Sequence, residues 1–529
     1  MQTNSPRLME RKSLYIFFLS IAAIFTYCLG MTDTHILPKW LYTLGAVAVV
    51  GVTEGIALLL RKQSETHEKP LLAIVAVLCS CQAIYGIVQA LGLSPSRFSY
   101  SVIGSFDNPA GLVACLCVGI PCSIYLFRVS ARKWMKWGAA AMVVLISVAI
   151  VLSESRAGVL AGIFVPVVWW LFAAVKKRWL RVVFVGLGIA LLPFMYVVKK
   201  DSADGRLLML RCGWEMIQDK PLLGHGTGSI EAHYMDYQAE WLSQHPDSSF
   251  SFLADNVKSV FNEYLAIGIR FGIIGWLVLI GWGWLMVHCY RKSPSEEGRC
   301  AMMSLVVIGV LACFSYPLTY PFTWIVLTLD GYVLFHRAYP FFPLKDRKVR
   351  WMVAPILIVG AGLLFYGVAK RTHAERKWGQ VASLAKRGKE FLSDYRTLLP
   401  VLGNEPYFLY NYAVELYMEG YHEKALLVAK RCRKYWADYD LELLQGELLV
   451  KLERYEEAEH HFLHASKMCP VRFVPLYQLY QLYKNTGNKE KARRMGETIL
   501  NKPVKVESAM INGIKANVHR DFKFMENKE

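Results

Sequence analysis

"VLSESRAGVLAGIF", residues 151–164, is an apolar stretch broken by Glu154-Ser155-Arg156. The apolar runs on either side, 136–153 and 157–175, are each long enough to cross a bilayer core of about 30 Å as a helix. Two such spans joined by so short a turn make a tight hairpin with Arg156 at its tip. Two readings of that arginine stand side by side. It is a structural residue whose long stem reaches the interface, or it is a fixed guanidinium at the membrane surface, suited to grip phosphate through two parallel hydrogen bonds.

Working outward, similar runs recur near 13–31, 40–60, 71–92, 110–127, 181–198, 262–290, 301–316, 320–336 and 351–369. The expected fold is all-α: a polytopic bundle of about eleven spans, followed by a C-terminal helical-repeat domain. The domains expected are 1–369, including a long loop at 199–261, and 370–529. The chain is 54% hydrophobic, which a soluble protein of 529 residues would rarely be. The N-terminal stretch lacks a cleavable-signal pattern, and Arg7, Arg11 and Lys12 precede a long apolar run, so that run is expected to stay as a span.

Charge sets the orientation. The loops 61–69, 128–136, 176–181, 291–299 and 336–350 are basic, alternate with less basic ones, and fall on the side of the basic N-terminus. That side is expected to be cytoplasmic. The loop 93–109, the turn 154–156, the segment 199–261, the turn near 317–319 and the C-terminal domain then face outward. Much of the net charge of +18 lies in these short clusters, where it specifies topology and attracts anionic lipid. Nucleic acid is therefore not an expected partner, with the basic C-terminal domain the only region that keeps it as a minor alternative. Cys79, Cys81, Cys115, Cys117, Cys122 and Cys313 fall in apolar runs and read as small core residues. No CxxC pair or Cys/His metal spacing occurs, so no metal or other cofactor is expected.

Residues 406–507 carry a repeat of roughly 33–34 residues. Ala413, Gly446 and Tyr480 share one position; Ala425, Ala458 and Ala492 share another, twelve later; Pro470 and Pro503 close two units. The pattern is tetratricopeptide-like, a stack of helix pairs packed through small residues, with 376–402 as a helical lead-in. Such a stack either offers a groove to a protein partner or caps the membrane domain.

The segment 199–261 begins with a polar turn and Arg206, then an amphipathic helix with Leu207, Leu210, Trp214 and Ile217 at helical spacing. "GHGTGS" (224–229) lacks the lysine of a phosphate loop and reads as a glycine-rich turn. Asn262 and Glu263 open the next span, where polar groups are expensive unless they face a wet cavity.

The ordered set "GSFDNPAGLVACL" (104–116), "SESRAG" (153–158), "DGRLLMLRCGWEMIQDKPLLGHGTGS" (204–229) and "FNEYLAIGIRFGIIGW" (261–276) resembles the O-antigen ligase / O-antigen polymerase superfamily of bacterial inner-membrane glycosyltransferases. The resemblance covers roughly residues 70–335. It implies a multi-pass inner-membrane enzyme with its site and C-terminal domain on the periplasmic face. Such an enzyme moves a glycan from an undecaprenyl-diphosphate carrier to an acceptor, without nucleotide sugar or metal. The acceptor implied first is lipid A–core, as for an O-antigen ligase. A growing O-antigen or exopolysaccharide, or a protein hydroxyl, is the alternative.

By position, the resemblance gives Arg156 and Arg206 the role of holding the diphosphate, with Arg211 in reserve. Many members carry His just before the Asn of the last motif; here that place is Phe261, which cannot accept a proton. Glu263 is the nearest carboxylate, and His245, His233 and His225 lie in the same outward segment. Asp107 and Asn108 either form a hydrogen-bonded turn before Pro109 or, with Asn262, line the acceptor side. A transporter of polysaccharide and a membrane-anchored repeat scaffold are the readings from other classes. No internal repeat of spans supports the first, and the second leaves Arg156 and Arg206 without a purpose.

Overall fold

The structure, a computed structural model, describes residues 21–60, 68–95, 100–174, 179, 186, 200–339, 347–383 and 389–526. The expected spans 13–31 (up to residue 20) and 181–198 (all but Gly186), the N-terminal basic residues, most of the basic loops 61–69 and 176–181, and residues 340–346 of the loop 336–350 lie outside these.

Every regular element among the described residues is helical. In chain order they are α1 (Ile36–Leu59), α2 (Glu68–Ala90), α3 (Pro109–Val129) and α4 (Lys133–Leu152). Next comes α5, a turn at Arg156–Gly158 that runs through a π-helical Val159–Phe164 into Val165–Ala174. Then follow α6 (Lys200–Asp219), α7 (Ser229–Gln244), α8 (Glu263–Lys292), α9 (Glu296–Ala312), α10 (Pro321–Ala338) and α11 (Arg347–Ser383). The C-terminal part holds α12 (Lys389–Leu402), α13 (Pro406–Met418), α14 (His422–Arg433), α15 (Tyr439–Lys451), α16 (Tyr455–Met468), α17 (Val474–Asn485), α18 (Lys489–Asn501) and α19 (Ala509–Glu526). Six of these, α1, α2, α3, α4, α8 and α11, are long and apolar enough to cross a membrane. α9 and α10 sit at the expected spans 301–316 and 320–336, with 17 and 18 residues.

The chain divides into two compact units. The first comprises Met1–Val197, Phe261–Tyr264 and Leu277–Gln380; the second Val198–Val260, Leu265–Trp276 and Val381–Glu529. The sequence reading placed 199–261 with the membrane domain and a boundary at 370. Here Val198–Val260 groups with the C-terminal helices, and α11 runs unbroken through residue 370.

In the first unit α3 is the central helix. Leu112 to Cys122 is buried without a break, inside α2, α4, α5 and α9. Small residues set the approach. A Cβ on Gly119 would lie 2.5 Å from that of Cys79, and one on Gly162 would lie 2.8 Å from Cys117 Sγ. This is how helices pack where lipid supplies no hydrophobic drive and close backbone contact must do so. α1 meets α11 in the same way: a Cβ on Gly51 would come 2.9 Å from Ala361, and one on Gly55 2.6 Å from Ile358.

Two expectations are corrected. The first span was read to residue 31, but among the described residues the helix closes in a 3-10 turn, Ala22–Phe25, and the chain turns from Thr26. Asp33 explains the early start of α1, since its carboxylate accepts from the amides of His35, Ile36 and Leu37. Cys81, read as a core residue, is exposed, and Cys313 is half-buried, whereas Cys79, Cys115, Cys117 and Cys122 are buried.

In the second unit α13 to α18 form three successive helix pairs. Ala413, Ala425, Ala458, Tyr480 and Ala492 are all buried, and a Cβ on Gly446 would run into the Phe462 ring. α7 packs on α16. Gln238 donates to Met468 O at 2.8 Å, and Arg433 bridges Asp236 (2.5 Å) and Glu442 (2.7 Å). The expected inner face of α6 is wrong in part. Leu208, Cys212, Met216 and Ile217 are buried, while Leu207, Leu210 and Trp214 are exposed. Apolar residues occupy both sides of this helix, so spacing alone does not choose between them.

Candidate functional site

One end of the first unit gathers several helix termini: α3, α5, α8 and α10 begin there, and α4 and α9 finish there. The loop that leads into α3 is braced from α2. Gln89 Oε1 accepts from the amides of Ile103 (3.0 Å) and Gly104 (2.8 Å), and Gln82 Oε1 accepts from Ser105 N at 3.3 Å. The two glutamines are seven residues apart, two turns along one helix face. Gly104 has φ 58, and a Cβ there would meet Gln82 Oε1 at 2.7 Å, so the brace requires glycine.

Next in this loop come Asp107 and Asn108. Asn108 caps α3, its Oδ1 accepting from Ala110 N (2.8 Å) and Gly111 N (3.1 Å). Its Nδ2 donates to Asp107 Oδ2 at 2.7 Å and to the Tyr316 hydroxyl at 3.0 Å. The Tyr320 hydroxyl donates to Asp107 Oδ1 at 3.0 Å. The Asx turn expected from sequence is thus present, joined to two tyrosines more than 200 residues away. Burial pushes the Asp107 carboxyl above the usual carboxylate range, against the lowering effect of the Tyr320 hydrogen bond.

The start of α8 completes the cluster. Phe261 stands edge-on to Tyr316, ring centres 5.1 Å apart. Asn262 Nδ2 donates to Cys313 O at 3.1 Å. Glu263 is buried, and its Oε1 accepts from Leu318 N at 2.8 Å. That bond ties α8 to the 3-10 turn Pro317–Thr319, which separates the two tyrosines.

Arg156 stands at the same end. Ser155 caps the turn by accepting from Gly158 N at 3.2 Å, and a Cβ on Gly158 would lie 2.5 Å from Val113, one turn into α3. Arg156 is half-buried. Its neighbour Glu154 (φ 54) and Phe261 (φ 51) are two of three non-glycine residues in left-handed backbone among those described. Such strain, of order 1–3 kcal/mol per residue, clusters at functional sites.

The remaining sequence candidates lie in the second unit. Arg206 is half-buried on α6. Arg211 is exposed, its guanidinium 5.7 Å from the Trp241 ring and 5.1 Å from Phe250. Five residues apart, the two arginines are separated by about 140° around the helix. His245 stacks on Trp241 with centroids 4.3 Å apart, and its Nδ1 lies 2.9 Å from Trp241 O. His225 Nε2 lies 2.7 Å from Met216 O, which fastens the glycine-rich turn to α6. Burial holds His233 below the usual imidazole range. Among the described residues no group of three or more His, Cys, Asp or Glu is placed to hold a metal ion.

Asp107, Asn108, Asn262 and Glu263 therefore come together around the turn 316–320, with Arg156 at the same end. Sequence reasoning missed Tyr316, Tyr320, Gln82 and Gln89. The doubled Tyr-Pro of "SYPLTYP" (315–321) was the one signal available.

Residues 140–280 match the family described as O-antigen ligase. This chain carries a domain of the O-antigen ligase superfamily. A comparison with curated proteins finds no match. The O-antigen ligase match covers Arg156, Arg206, Arg211, His245, Asn262 and Glu263. Asp107, Asn108, Tyr316 and Tyr320 fall outside it, and in the first unit they surround the start of α8. A multi-pass membrane protein of the glycan ligase and polymerase class accounts for both the match and the apolar helices.

Proposed function

We propose that this protein is an O-antigen ligase of the bacterial inner membrane. It transfers a glycan from an undecaprenyl-diphosphate carrier to lipid A–core on the periplasmic face, with no metal or nucleotide sugar. About eleven spans and the alternation of basic loops put the site and the C-terminal domain on that face. The observation that carries the reading is the family match over 140–280, which spans both arginine motifs.

The chemistry follows from charge. As the anomeric C1–O bond breaks, the lipid diphosphate takes up negative charge. Arg156 and Arg206 are the groups proposed to hold it, each contributing on the order of 3 kcal/mol of transition-state stabilisation in a water-poor site. Arg211 stands in reserve, and Asn108 and Asn262 line the acceptor side. Glu263 and His245 are the proton acceptors that the sequence offers. The helix pairs α13 to α18 are read as tetratricopeptide-like. Their contacts with α7 favour a bracing role over a groove held open for a protein partner.

Glycan analysis of a deletion strain tests the reading. Loss of polymer from lipid A–core with lipid-linked polymer retained identifies a ligase. Caps of single repeat units identify a polymerase, and normal glycans with unglycosylated envelope proteins identify a protein O-oligosaccharyltransferase. Unaltered glycans and glycoproteins would refute a transferase.

A further inference from the structure

We infer that Asp107 is the general base that takes the proton from the acceptor hydroxyl. The assignment rests on the transferase reading and deepens it. In the step, the acceptor O–H gives its proton to an Asp107 carboxylate oxygen while that acceptor oxygen bonds to the anomeric carbon. The C1–O bond to the diphosphate breaks, and its electron pair leaves on the lipid diphosphate.

Geometry selects this carboxylate. Asp107 is half-buried, so a ligand can reach it, and it sits at the end of the bundle that also presents Arg156. Its described partners are a hydroxyl on Oδ1 and an amide on Oδ2. Its own backbone amide is a third donor, and of the four acceptor positions on the two oxygens one remains for an incoming hydroxyl. None of these donors carries a charge that would quench its basicity, as a paired guanidinium would. Phe261 packs its ring on Tyr316, which Asn108 links to Asp107. The carboxylate and the place where the resemblance implies a histidine thus border the same tyrosine. Glu263 fits the role less well, being buried with Oε1 committed to the Leu318 amide. Burial also lifts the Asp107 carboxyl, which brings a carboxylate nearer the basicity that proton abstraction requires. Tyr320, Gln82 and Gln89 are positioning residues: the tyrosine orients the carboxylate, and the glutamines fix its loop.

The groups that face Asp107 electrostatically are Asp33 and His35 before α1, Lys39 in its first turn, and Tyr316 and Tyr320. The test uses the full-length protein in nanodiscs, an undecaprenyl-diphosphate-linked glycan and purified lipid A–core, with initial rates measured from pH 4.5 to 8. The wild type should lose rate on the acid side along a one-proton limb. Asp107→Asn keeps an acceptor for Tyr320 and should melt at or above the wild-type temperature, yet transfer about 100-fold more slowly with the acid limb gone. Asp107→Glu should recover part of the rate with the limb displaced. His35→Gln removes a charge that lowers the Asp107 carboxyl and should displace the limb slightly upward, whereas Arg156→Lys should leave the limb where it is. A slower Asp107→Asn that retains the wild-type limb would mean a structural role and overturn the assignment, as would a rate within threefold of wild type. A wild type that transfers to lipid A–core while Asp107→Asn does so equally well sinks only the base. A wild type inactive with lipid-linked donor and every hydroxyl acceptor tried sinks the transferase reading and the base together.

Discussion

The two ends of the membrane bundle are built on opposite principles. At one end acids meet arginines. Buried Glu68 pairs with Arg337, which also reaches Glu297 at 3.0 Å, and Tyr125 donates to Glu297 at 2.8 Å. Glu296 lies between Arg128 (2.8 Å) and Arg299 (2.6 Å). At the other end Asp107 meets a hydroxyl and an amide, backbone is strained at Glu154 and Phe261, and burial disfavours the charged carboxylate. The first arrangement locks α2, α3, α9 and α10 together. The second leaves its carboxylate poised and its arginine at a helix start. Acid–arginine pairs hold one end of the bundle, and the other presents a desolvated carboxylate oriented by a hydroxyl and an amide.

Substitutions can break or sharpen this contrast. The largest effect is expected for Arg156→Ala, which should cut glycan transfer at least 100-fold, on the order of 3 kcal/mol, while leaving the melting temperature near wild type. Retention of full transfer in both Arg156→Lys and Arg206→Lys would remove the bidentate diphosphate grip. Arg337→Ala should do the reverse. It strands a buried carboxylate, costs about 3 kcal/mol of stability in detergent unfolding, and spares transfer at low temperature. Gln89→Leu falls between them. Leaving the Ile103 and Gly104 amides without their acceptor should cost about 2 kcal/mol and lower transfer through the misplaced loop, with the acid limb unmoved.

The smallest effect concerns stability and pH. The Asp107 carboxyl is raised in the folded protein, so its contribution favours folding fully below the unfolded carboxylate range. That contribution is lost as pH rises through the folded value. Asp107→Asn should therefore melt slightly higher than wild type at pH 7, with the gain vanishing in acid. An equal gain at both pH values would contradict the desolvated carboxylate. Asp236 and Glu442 in the second unit run the other way. Burial opposes them, but His464, Arg433 and His461 hold both carboxyls below their usual range. Their stabilisation is present above the unfolded range and lost as pH falls through the folded values.

The sequence by itself determined the helical class, most of the membrane-length runs, the period of the C-terminal pairs and the motif order that resembles the family. Those follow from local rules: an apolar run of a given length has one way to satisfy its backbone in lipid, and a repeat displays its own period. The Asn108 turn was legible for the same reason, since its partners are two or three residues away. Only the tertiary structure decided which face of α6 is buried, that Cys81 is exposed, and that Asp107 and Asn108 meet Tyr316 and Tyr320. Helices apolar on every side give no periodic sign of their inner face, and a hydrogen bond across more than 200 residues leaves no trace in spacing. The site is therefore a product of helix packing: small residues such as Gly119, Gly158 and Gly162 let the backbones close, and that closure brings the ends of separate motifs to one carboxylate.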